Sequence, residues 1–401
     1  MPRPSVAARL APFGTSVFAE MSALALQHDA VNLSQGFPDF DGPAFVRDAA
    51  SRAIASGHNQ YAPMPGLPTL RHAIARDWSA RAGLPLADPL AQVSVTSGCT
   101  EALAATFLGL IEPGDEIILF EPFYDSYRAC IALAGGTPRF VRLHPPRSGD
   151  GTFTFDPDDL RRAFTPRTRA ILVNTPHNPT GKVFTRDELN LIASLCLEHD
   201  TLAITDEVYE RLTFNPALPH LSLAAFPAMA DRTITLSSLG KTFSLTGWKV
   251  GWAIASPDLI RAVRAAHQFL TFATSTPMQH AAVEALDRAD DYVPGLLDDY
   301  LEARDFLADA LGSLGFRVFI PDGTYFIIAD HARFGFLDDV AFCRHLTASI
   351  GVAAIPPGAF YSDPDAARTL VRFAFCKRRE TLALAVERLA RLRPIGPAAH
   401  A

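Results

Sequence analysis

Seven short apolar segments follow one another in the middle of this 401-residue chain. Several are apolar throughout instead of alternating with polar residues, which is typical of strands buried on both faces of a sheet. Helical patterns lie between many of them, and this alternation predicts an open, largely parallel sheet with helices on both faces. The segments are VSVT (93–96), EIILF (116–120), RFVRL (139–143), RAILVN (169–174), TLAITD (201–206), TITLSS (233–238) and VGWAIA (250–255).

The clearest helix start is at Thr185, where the sequence TRDE supplies a capping box. Leu189, Ile192 and Cys196 follow at helical spacing and form one apolar stripe. We therefore expect a helix that begins here and turns this stripe towards the sheet.

The pattern changes after about residue 288, where an acidic, helix-rich segment precedes three short strands and a terminal helix. Leu382, Val386 and Leu389 share one face of that helix. The first 40 residues contain turn-forming sequences and no strand of the main sheet, so we expect them to pack on this second unit. The sequence thus predicts an α/β protein with a large domain, built on a mostly parallel seven-stranded sheet, and a smaller α+β domain. The predicted small-domain strands are 316–320, 324–329 and 370–375, and the predicted domains are 43–288 (large) and 1–42 with 289–401 (small).

Composition argues against several classes of protein. The net charge is −7 and no run of clustered Lys or Arg occurs, so a nucleic-acid-binding face is not expected. The longest apolar stretch, residues 102–111, is too short to span a bilayer, and the first residues lack the apolar core of a signal peptide. The five cysteines are scattered and never form a C-x-x-C pair, which indicates reduced thiols. We expect a cytoplasmic protein that binds neither nucleic acid nor membrane.

Lysine is rare in this chain, since only four of the 36 basic residues are lysines. Two of them, Lys241 and Lys249, lie in the short stretch SSLGKTFSLTGWKVG (237–251). A lysine can lose its proton and react as an amine, whereas a guanidinium stays charged. A lysine that forms a Schiff base needs burial or a cationic neighbour, because its reference pKa is about 10.4. The small residues around Lys241 and the nearby Lys249 fit that role, and the alternative is a surface cation in a turn.

Other kinds of site fit the sequence less well. A phosphate-binding P-loop requires glycine at position 235, where the chain has Thr235. The turn after the first predicted strand, VTSGCTEAL, lacks the G-x-G-x-x-G of a dinucleotide site. No H-E-x-x-H motif occurs and the twelve histidines show no ligand spacing, so no metal is expected.

Six motifs occur in order along the chain. They are VNLSQGFPDFDGP (31–43), NQYAPMPG (59–66), EPFYDSY (121–127), NTPHNPTGKV (174–183), ITDEVYE (204–210) and SSLGKTFSLTGWKVGW (237–252). Together they make the chain resemble the class I, fold-type-I aminotransferases that depend on pyridoxal phosphate. The resemblance extends from about residue 13 to 392, and its nearest branch is that of methionine aminotransferase and kynurenine/glutamine aminotransferase, with succinyldiaminopimelate aminotransferase as a near relative. It implies the type I fold, pyridoxal 5'-phosphate as cofactor, and a homodimer with shared active sites.

The resemblance implies three catalytic residues. Lys241 would hold the cofactor as an imine and, once freed by substrate, move a proton from the substrate α-carbon. Asp206 would keep the pyridine nitrogen protonated, although an aspartate at a strand end could equally cap a following helix. Tyr209 would hydrogen-bond the phenolate oxygen of the cofactor together with Asn178, whereas alone these two residues would indicate a half-buried helix residue and a turn.

The resemblance also implies the residues around the rest of the cofactor. Tyr124 would stack on its ring, unless it is simply a core aromatic. Backbone amides at a helix N-terminus can receive the phosphate. A tyrosine from the neighbouring subunit would reach the same phosphate. The implied phosphate ligands are Gly98, Cys99, Thr100, Ser238, Lys249 and, from the second subunit, Tyr61. Cys99 would place an oxidisable thiol near the phosphate.

For the substrate, the resemblance implies that Arg372 pairs with the α-carboxylate, beside Asn178 and the backbone of Gly36. Alternation along LVRFAF cannot distinguish this role from that of a solvent-facing arginine. The expected side-chain pocket is apolar and aromatic, and Phe18 stands where kynurenine-type enzymes have a tryptophan. The expected pocket residues are Phe18, Phe37, Tyr61, Tyr124 and Phe272.

We therefore expect a ping-pong transfer of the amino group from a large neutral amino acid to a 2-oxo acid. The expected donors are methionine, glutamine and aromatic amino acids, whereas kynurenine stays open as a donor because Phe18 replaces the tryptophan of kynurenine-type enzymes. Two enzymatic alternatives stay open at the same site, namely N-succinyldiaminopimelate aminotransferase and cysteine-S-conjugate β-lyase. A cofactor-binding regulatory protein would bring a fused DNA-binding module, for which we see no N-terminal extension.

Overall fold

The computed structural model describes residues 6–147 and 151–393, and within them twelve strands form three sheets. Each of the ten strands predicted from the sequence is present, with ends that differ by at most a few residues. The strands are β1 Val31–Asn32, β2 Val93–Ser97, β3 Glu116–Glu121, β4 Thr137–Arg142, β5 Thr168–Asn174, β6 Leu202–Asp206, β7 Thr233–Ser238, β8 Val250–Ile254, β9 Arg317–Phe319, β10 Phe326–Asp330, β11 Val352–Ala353 and β12 Leu370–Ala374.

Fourteen α-helices occur in the described part of the chain. They are α1 Val17–Gln27, α2 Ala44–Ala55, α3 Pro68–Ala82, α4 Pro89–Gln92, α5 Gly98–Leu110, α6 Asp125–Ala134, α7 Pro157–Ala163, α8 Arg186–Glu198, α9 Leu239–Thr242, α10 Pro257–Leu270, α11 Thr276–Asp287, α12 Ala289–Leu314, α13 Asp339–His345 and α14 Arg379–Leu389. None of these helices is both long enough and apolar enough to cross a membrane.

The large sheet has seven strands in the order β2-β8-β7-β6-β5-β3-β4. Its pairs are parallel except that β8 runs antiparallel to both β2 and β7. The expectation of a mostly parallel seven-stranded sheet is confirmed. Because β8 reverses between them, β2 points the same way as β7. The carboxyl ends of β2, β5, β6 and β7 therefore meet at one edge, where open α/β sheets bind ligands.

Helices cover both faces of this sheet, which explains why its strands are apolar throughout. On β3, Ile117 and Leu119 belong to one buried cluster, whereas Ile118 and Phe120 belong to another. Helices α5, α6 and α10 contribute to the first cluster and α7 and α8 to the second. Burial of both faces removes the polar alternation that a half-exposed strand would show.

Helix α8 has the predicted capping box. The Thr185 hydroxyl accepts from Glu188 N–H at 3.2 Å, and Glu188 accepts from Thr185 N–H at 2.8 Å. Leu189, Ile192 and Cys196 are buried against the sheet. The predicted helix and its inward face are thus confirmed.

The second unit combines a three-stranded antiparallel sheet, β12-β10-β9, with the two-stranded parallel pair β1-β11. Val31 lies opposite Val352, so the N-terminal segment is hydrogen-bonded to the C-terminal part of the chain. Leu382 and Leu389 of α14 are buried in the core of this unit, and Val386 packs against it. The exact division at residues 42/43 and 288/289 stays a prediction, and its outermost residues, 1–5 and 394–401, lie outside the described residues.

Candidate active site

A cavity of about 190 Å³ opens where the carboxyl ends of β2, β5, β6 and β7 meet. Parallel strand ends bring distant parts of the chain together, and Asn174 of β5 lies directly opposite Asp206 of β6. All the residues that the sequence places around the cofactor line this cavity, with the exception of Tyr61. They are Gly98, Cys99, Thr100, Tyr124, Asn178, Asp206, Tyr209, Ser238, Lys241 and Lys249.

Lys241 lies in the short helix α9, directly after β7. Burial lowers the pKa of its amine, and the charge of Arg372 acts in the same direction, although Cys376 and Asp206 oppose the shift. Its Nζ lies 5.7 Å from the ring centroid of Tyr209. Lys241 is half-buried in a short helix and lines the cavity, so the alternative of a surface cation in a turn is wrong, and this partial burial supplies the setting that a reactive amine needs.

Asp206 is buried at the end of β6 and is surrounded by donors. Tyr127 Oη donates to Asp206 Oδ2 at 2.8 Å, and Val208 N–H donates to Oδ1 at 3.3 Å. Burial raises the pKa of this carboxyl, while these donors and the charge of Lys241 oppose the rise. Residues 208–211 form a turn, so Asp206 caps no helix, and Tyr209 is a buried turn residue.

Two asparagines connect the strand ends with the substrate side of the cavity. Asn174 Nδ2 donates to the Asp206 carbonyl at 2.8 Å, and Asn174 Oδ1 accepts from Asn178 N–H at 2.7 Å. Asn178 Oδ1 in turn accepts from Arg372 at 3.1 Å, which leaves its amide nitrogen free to donate into the cavity. Sequence reasoning missed Asn174, although its place at a strand end beside Asp206 is a signal that could have identified it.

The start of α5 forms the opposite end of the cavity. Gly98 has φ +77°, and a Cβ there would lie 3.1 Å from Lys249 Nζ. The ammonium of Lys249 therefore lies over the first turn of α5, whose leading amides have no partner within the helix. Ser238 lines the same cavity. A helix N-terminus with an adjacent ammonium and hydroxyl is suited to bind a phosphate.

Cys99 does not behave as the reactive thiol that the sequence suggests. Its Sγ points to Asp206 Oδ1 at 3.6 Å. Burial and the neighbouring carboxylate raise the pKa of this thiol well above its ordinary value. Because the thiolate is the form that oxidises readily, the expected liability is not supported.

Arg372 is almost completely buried, with 1% of its surface exposed, so the alternative of a solvent-facing arginine is wrong. Its two terminal nitrogens donate to Asn178 Oδ1 at 3.1 Å and to the Ser34 carbonyl at 2.8 Å. Its Nε has no hydrogen-bond partner, and no carboxylate within the described residues forms an ion pair with it. Burial lowers the pKa of this guanidinium to about 10, so it stays charged at neutral pH. A buried cation without a counter-ion can receive a carboxylate.

A second cavity of about 360 Å³ adjoins the first and shares Tyr124, Asn178, Tyr209, Lys241 and Thr246 with it. Its wall carries aromatic side chains, polar groups and one carboxylate, that of Asp125, which sequence reasoning did not single out. The further residues that line it include Phe18, Gln35, Gly36, Phe37, Phe326 and Arg372.

Gly36 fits tightly in this wall. A Cβ there would lie 2.6 Å from Phe326 Cζ, so only glycine leaves the wall undisturbed. The Gly36 carbonyl accepts a hydrogen bond from Tyr325 Oη at 2.6 Å.

Tyr61 and Phe272 line neither of the two cavities, unlike the other predicted site residues. They form an edge-to-face pair at 5.6 Å, with Tyr61 85% exposed.

The two cavities together fit the donor set that pyridoxal 5'-phosphate requires. An anion site lies at the start of α5 beside Lys249, a buried carboxylate lies at Asp206, and an amine with a lowered pKa lies at Lys241. The phosphate, the ring nitrogen and the aldehyde of that cofactor need these three kinds of group.

Comparison with known proteins agrees with this chemistry. The family model for aminotransferase class I and II matches residues 28–389. The chain is 50% identical to a probable N-succinyldiaminopimelate aminotransferase of Mycobacterium tuberculosis, over 95% of this chain and 97% of that protein. It is 41% identical to the methionine aminotransferase of Escherichia coli, over 96% and 97%, and 39% identical to a kynurenine–oxoglutarate transaminase of Dictyostelium discoideum, over 95% and 95%.

Solved structures give the same result. The structure of N-succinyldiaminopimelate aminotransferase from M. tuberculosis superposes with a TM-score of 0.93 at 49% identity, covering 97% of this chain and all of that one. The structure of a methionine aminotransferase from E. coli superposes with a TM-score of 0.91 at 40% identity, again covering 97% and 100%.

Proposed function

Because this chain belongs to the class I and II aminotransferases, which depend on pyridoxal 5'-phosphate, we propose that it transfers the amino group of a large neutral amino acid to a 2-oxo acid. The reaction runs in two half-reactions, in which the donor leaves as a 2-oxo acid and the acceptor leaves as an amino acid. When bound, the cofactor supplies an electron sink for the substrate α-carbon. The roles below belong to the same proposal.

Lys241 is the catalytic base. Burial favours its neutral amine, so its Nζ can accept the α-proton of a bound amino acid and later return a proton to the product. The ring of Tyr209 lies on one side of this nitrogen, with its centroid 5.7 Å from Nζ. Arginine at this position would keep the charge but could neither bond to the cofactor nor accept a proton.

Asp206 binds the ring nitrogen of the cofactor. It must stay ionised for this role, and the donors Tyr127 and Val208 stabilise its charge against burial. Asn178 donates from its free amide nitrogen, and Tyr124 covers the ring. At the other end, Lys249 and Ser238 hold the phosphate against the first turn of α5.

Arg372 is the residue proposed to bind the α-carboxylate of the substrate. It is a buried guanidinium with a free Nε and, among the described residues, no carboxylate partner, and it lies next to the cavity of Lys241. The α-carboxylate of an amino acid would satisfy both its charge and its open donor. Asn178 orients Arg372 by accepting one of its N–H groups.

The adjoining cavity favours a neutral side chain. Phe18, Phe37 and Phe326 offer apolar surface and contacts for a thioether sulfur. Besides Arg372 and Lys241, the described residues that line this cavity include no cation, and burial raises the pKa of the one carboxyl group there, that of Asp125. A donor with a distal carboxylate would therefore find no further cation among them.

N-succinyldiaminopimelate is the second candidate substrate, since a relative of that name is 50% identical over nearly the whole chain. Its distal carboxylates would require cations from a second subunit. β-Elimination from cysteine S-conjugates uses the same residues and differs in the fate of the carbanion.

We also propose a cytoplasmic homodimer in which the exposed pair Tyr61 and Phe272 enters the site of the other subunit.

The test is a panel of donors compared by kcat/KM with 2-oxoglutarate and with 2-oxo-4-methylthiobutyrate as acceptors. We expect methionine, glutamine and aromatic donors to lead and aspartate to be poor. Pyruvate release from a cysteine S-conjugate, measured in parallel, gives the share of β-elimination. A clear preference for N-succinyldiaminopimelate would replace the neutral-donor assignment and leave the catalytic roles unchanged.

A further inference from the structure

His267 of α10 is buried beneath the start of α5 and has a hydrogen bond on each ring nitrogen. Its Nδ1 lies 2.6 Å from Glu101 Oε1, and its Nε2 lies 3.0 Å from the Met64 carbonyl oxygen. Its side chain is 0% exposed. A carbonyl oxygen can only accept, and an ionised carboxylate can only accept as well. The Met64 carbonyl makes Nε2 a donor, and donation from Nδ1 to an ionised Glu101 would make His267 an imidazolium.

Glu101 connects this histidine to the proposed phosphate site. Its other oxygen, Oε2, accepts from the N–H of Ser97, the residue directly before Gly98. A carboxylate in the first turn of α5 opposes the binding of a phosphate dianion at that turn unless its charge is neutralised.

We propose that His267 is a positioning residue for the cofactor phosphate, because it neutralises Glu101 and fixes the first turn of α5 to the loop that contains Met64. This inference rests on the placement of the phosphate proposed above and adds two residues that do not line the cofactor cavity. The same loop contains Tyr61, so His267 also fixes the segment that reaches the second subunit.

The surroundings of His267 support its charged form. Burial and the charge of Arg264, on the same helix, lower its pKa, but the hydrogen bond and charge of Glu101 on α5 and the Met64 carbonyl raise it further. Thr271 Oγ1, at 3.3 Å from Nδ1, completes the contacts. The net pKa is raised, so the charge is fully present below the ordinary value and is lost as pH rises through the raised one.

The experiment measures the dissociation constant of pyridoxal phosphate on the full-length protein after resolution and reloading. In His267→Gln, the side chain can still donate to one partner but carries no charge. We expect the dissociation constant to rise about tenfold near pH 6.5, and the ratio to wild type to shrink towards pH 9. His331→Gln is the matched control, because His331 is also buried but stacks on Phe342 in the core of the second unit.

The double variant His267→Gln/Glu101→Gln separates this role from simple packing. If an uncompensated carboxylate causes the weak binding, removing it should restore affinity to within about threefold of wild type. A packing role predicts instead that the double variant binds as weakly as the single variant or more weakly, and that result would overturn the inference. A change below about twofold in His267→Gln near pH 6.5 would also overturn it.

Two further variants keep the outcomes distinct. If His267→Gln does not fold, Glu101→Gln alone should flatten the pH dependence of cofactor affinity, and an unchanged dependence would contradict the proposal.

Lys249→Ala tests the phosphate placement itself. If Lys249→Ala leaves affinity unchanged, the placement is wrong and the role of His267 is wrong with it. If Lys249→Ala weakens binding and the His267 variants do not, only the role of His267 is wrong.

Discussion

Tyr127 Oη donates a 2.8 Å hydrogen bond to Asp206 Oδ2 in the interior of the cofactor site. Both side chains are buried, and Tyr127 is three residues after Tyr124 at the start of α6. A hydrogen bond to a buried ion contributes more than a neutral one, because its loss leaves the charge without a partner. This contact makes Tyr127 part of the support for an ionised Asp206.

We therefore predict that Tyr127→Phe lowers kcat by about tenfold, as expected for the loss of about 1.5 kcal/mol of charge stabilisation. The pKa of Asp206 is already raised by burial, and removing a donor raises it further. Since the ionised form is required, the acid limb of the kcat profile should move to higher pH. Tyr361→Phe, another buried tyrosine, is the control, and an unmoved acid limb would argue against the role of Tyr127.

Lys249→Ala should mainly weaken cofactor affinity, because its ammonium lies over the first turn of α5. We expect a rise of about tenfold in the dissociation constant, in line with the loss of one partly exposed charge at a helix N-terminus. Excess pyridoxal phosphate should restore much of the rate. Loss of activity with the cofactor still fully bound would contradict the phosphate role.

Arg372→Lys keeps a cation but loses the planar fork that pairs with a carboxylate. Because the guanidinium also donates to Asn178 and Ser34, we predict that KM for amino donors rises about 10- to 100-fold. The dissociation constant of a simple carboxylate inhibitor should rise in parallel. A rise in KM without weaker inhibitor binding would exclude direct contact with the carboxylate. Thermal melting checks that the buried site still folds.

Mixing two inactive variants tests the shared site. Tyr61 is 85% exposed in this chain and lines neither of the two site cavities, so its role depends on a second subunit. A hybrid dimer of Lys241→Ala with Tyr61→Ala would contain one site with both native residues. Co-refolded subunits should therefore regain activity that neither variant has alone. If the mixture stays as inactive as its components, Tyr61 does not act across a subunit interface.

The large sheet could be predicted from the sequence because burial on both faces leaves a local signal, as in Ile117 to Phe120 of β3. The residues at strand ends, such as Asp206, could be placed at the site once the strands were known. The family motifs added the remaining cofactor residues.

Contacts across long sequence distances could not be predicted in the same way. The alternation around Arg372 is the same for a buried and for an exposed side chain, and only packing against Phe18, Phe326 and Phe360 shows that it is buried. The pairing of Glu101 with His267 joins residues 166 positions apart, and no local pattern indicates it. The hydrogen bond from Tyr127 to Asp206 is hidden for the same reason.

The central claim is that Lys241 acts as an amine and not as a charge. The most direct test is the rate of amino transfer from methionine by Lys241→Arg, measured with cofactor in excess and compared with Lys241→Ala. Both variants should lose more than about a thousandfold in kcat, because neither can bond to the cofactor or accept the α-proton. They should still bind pyridoxal phosphate through its phosphate end, without the visible absorbance of the lysine-bound form. Transamination by Lys241→Arg at a rate near that of the wild type would contradict the account.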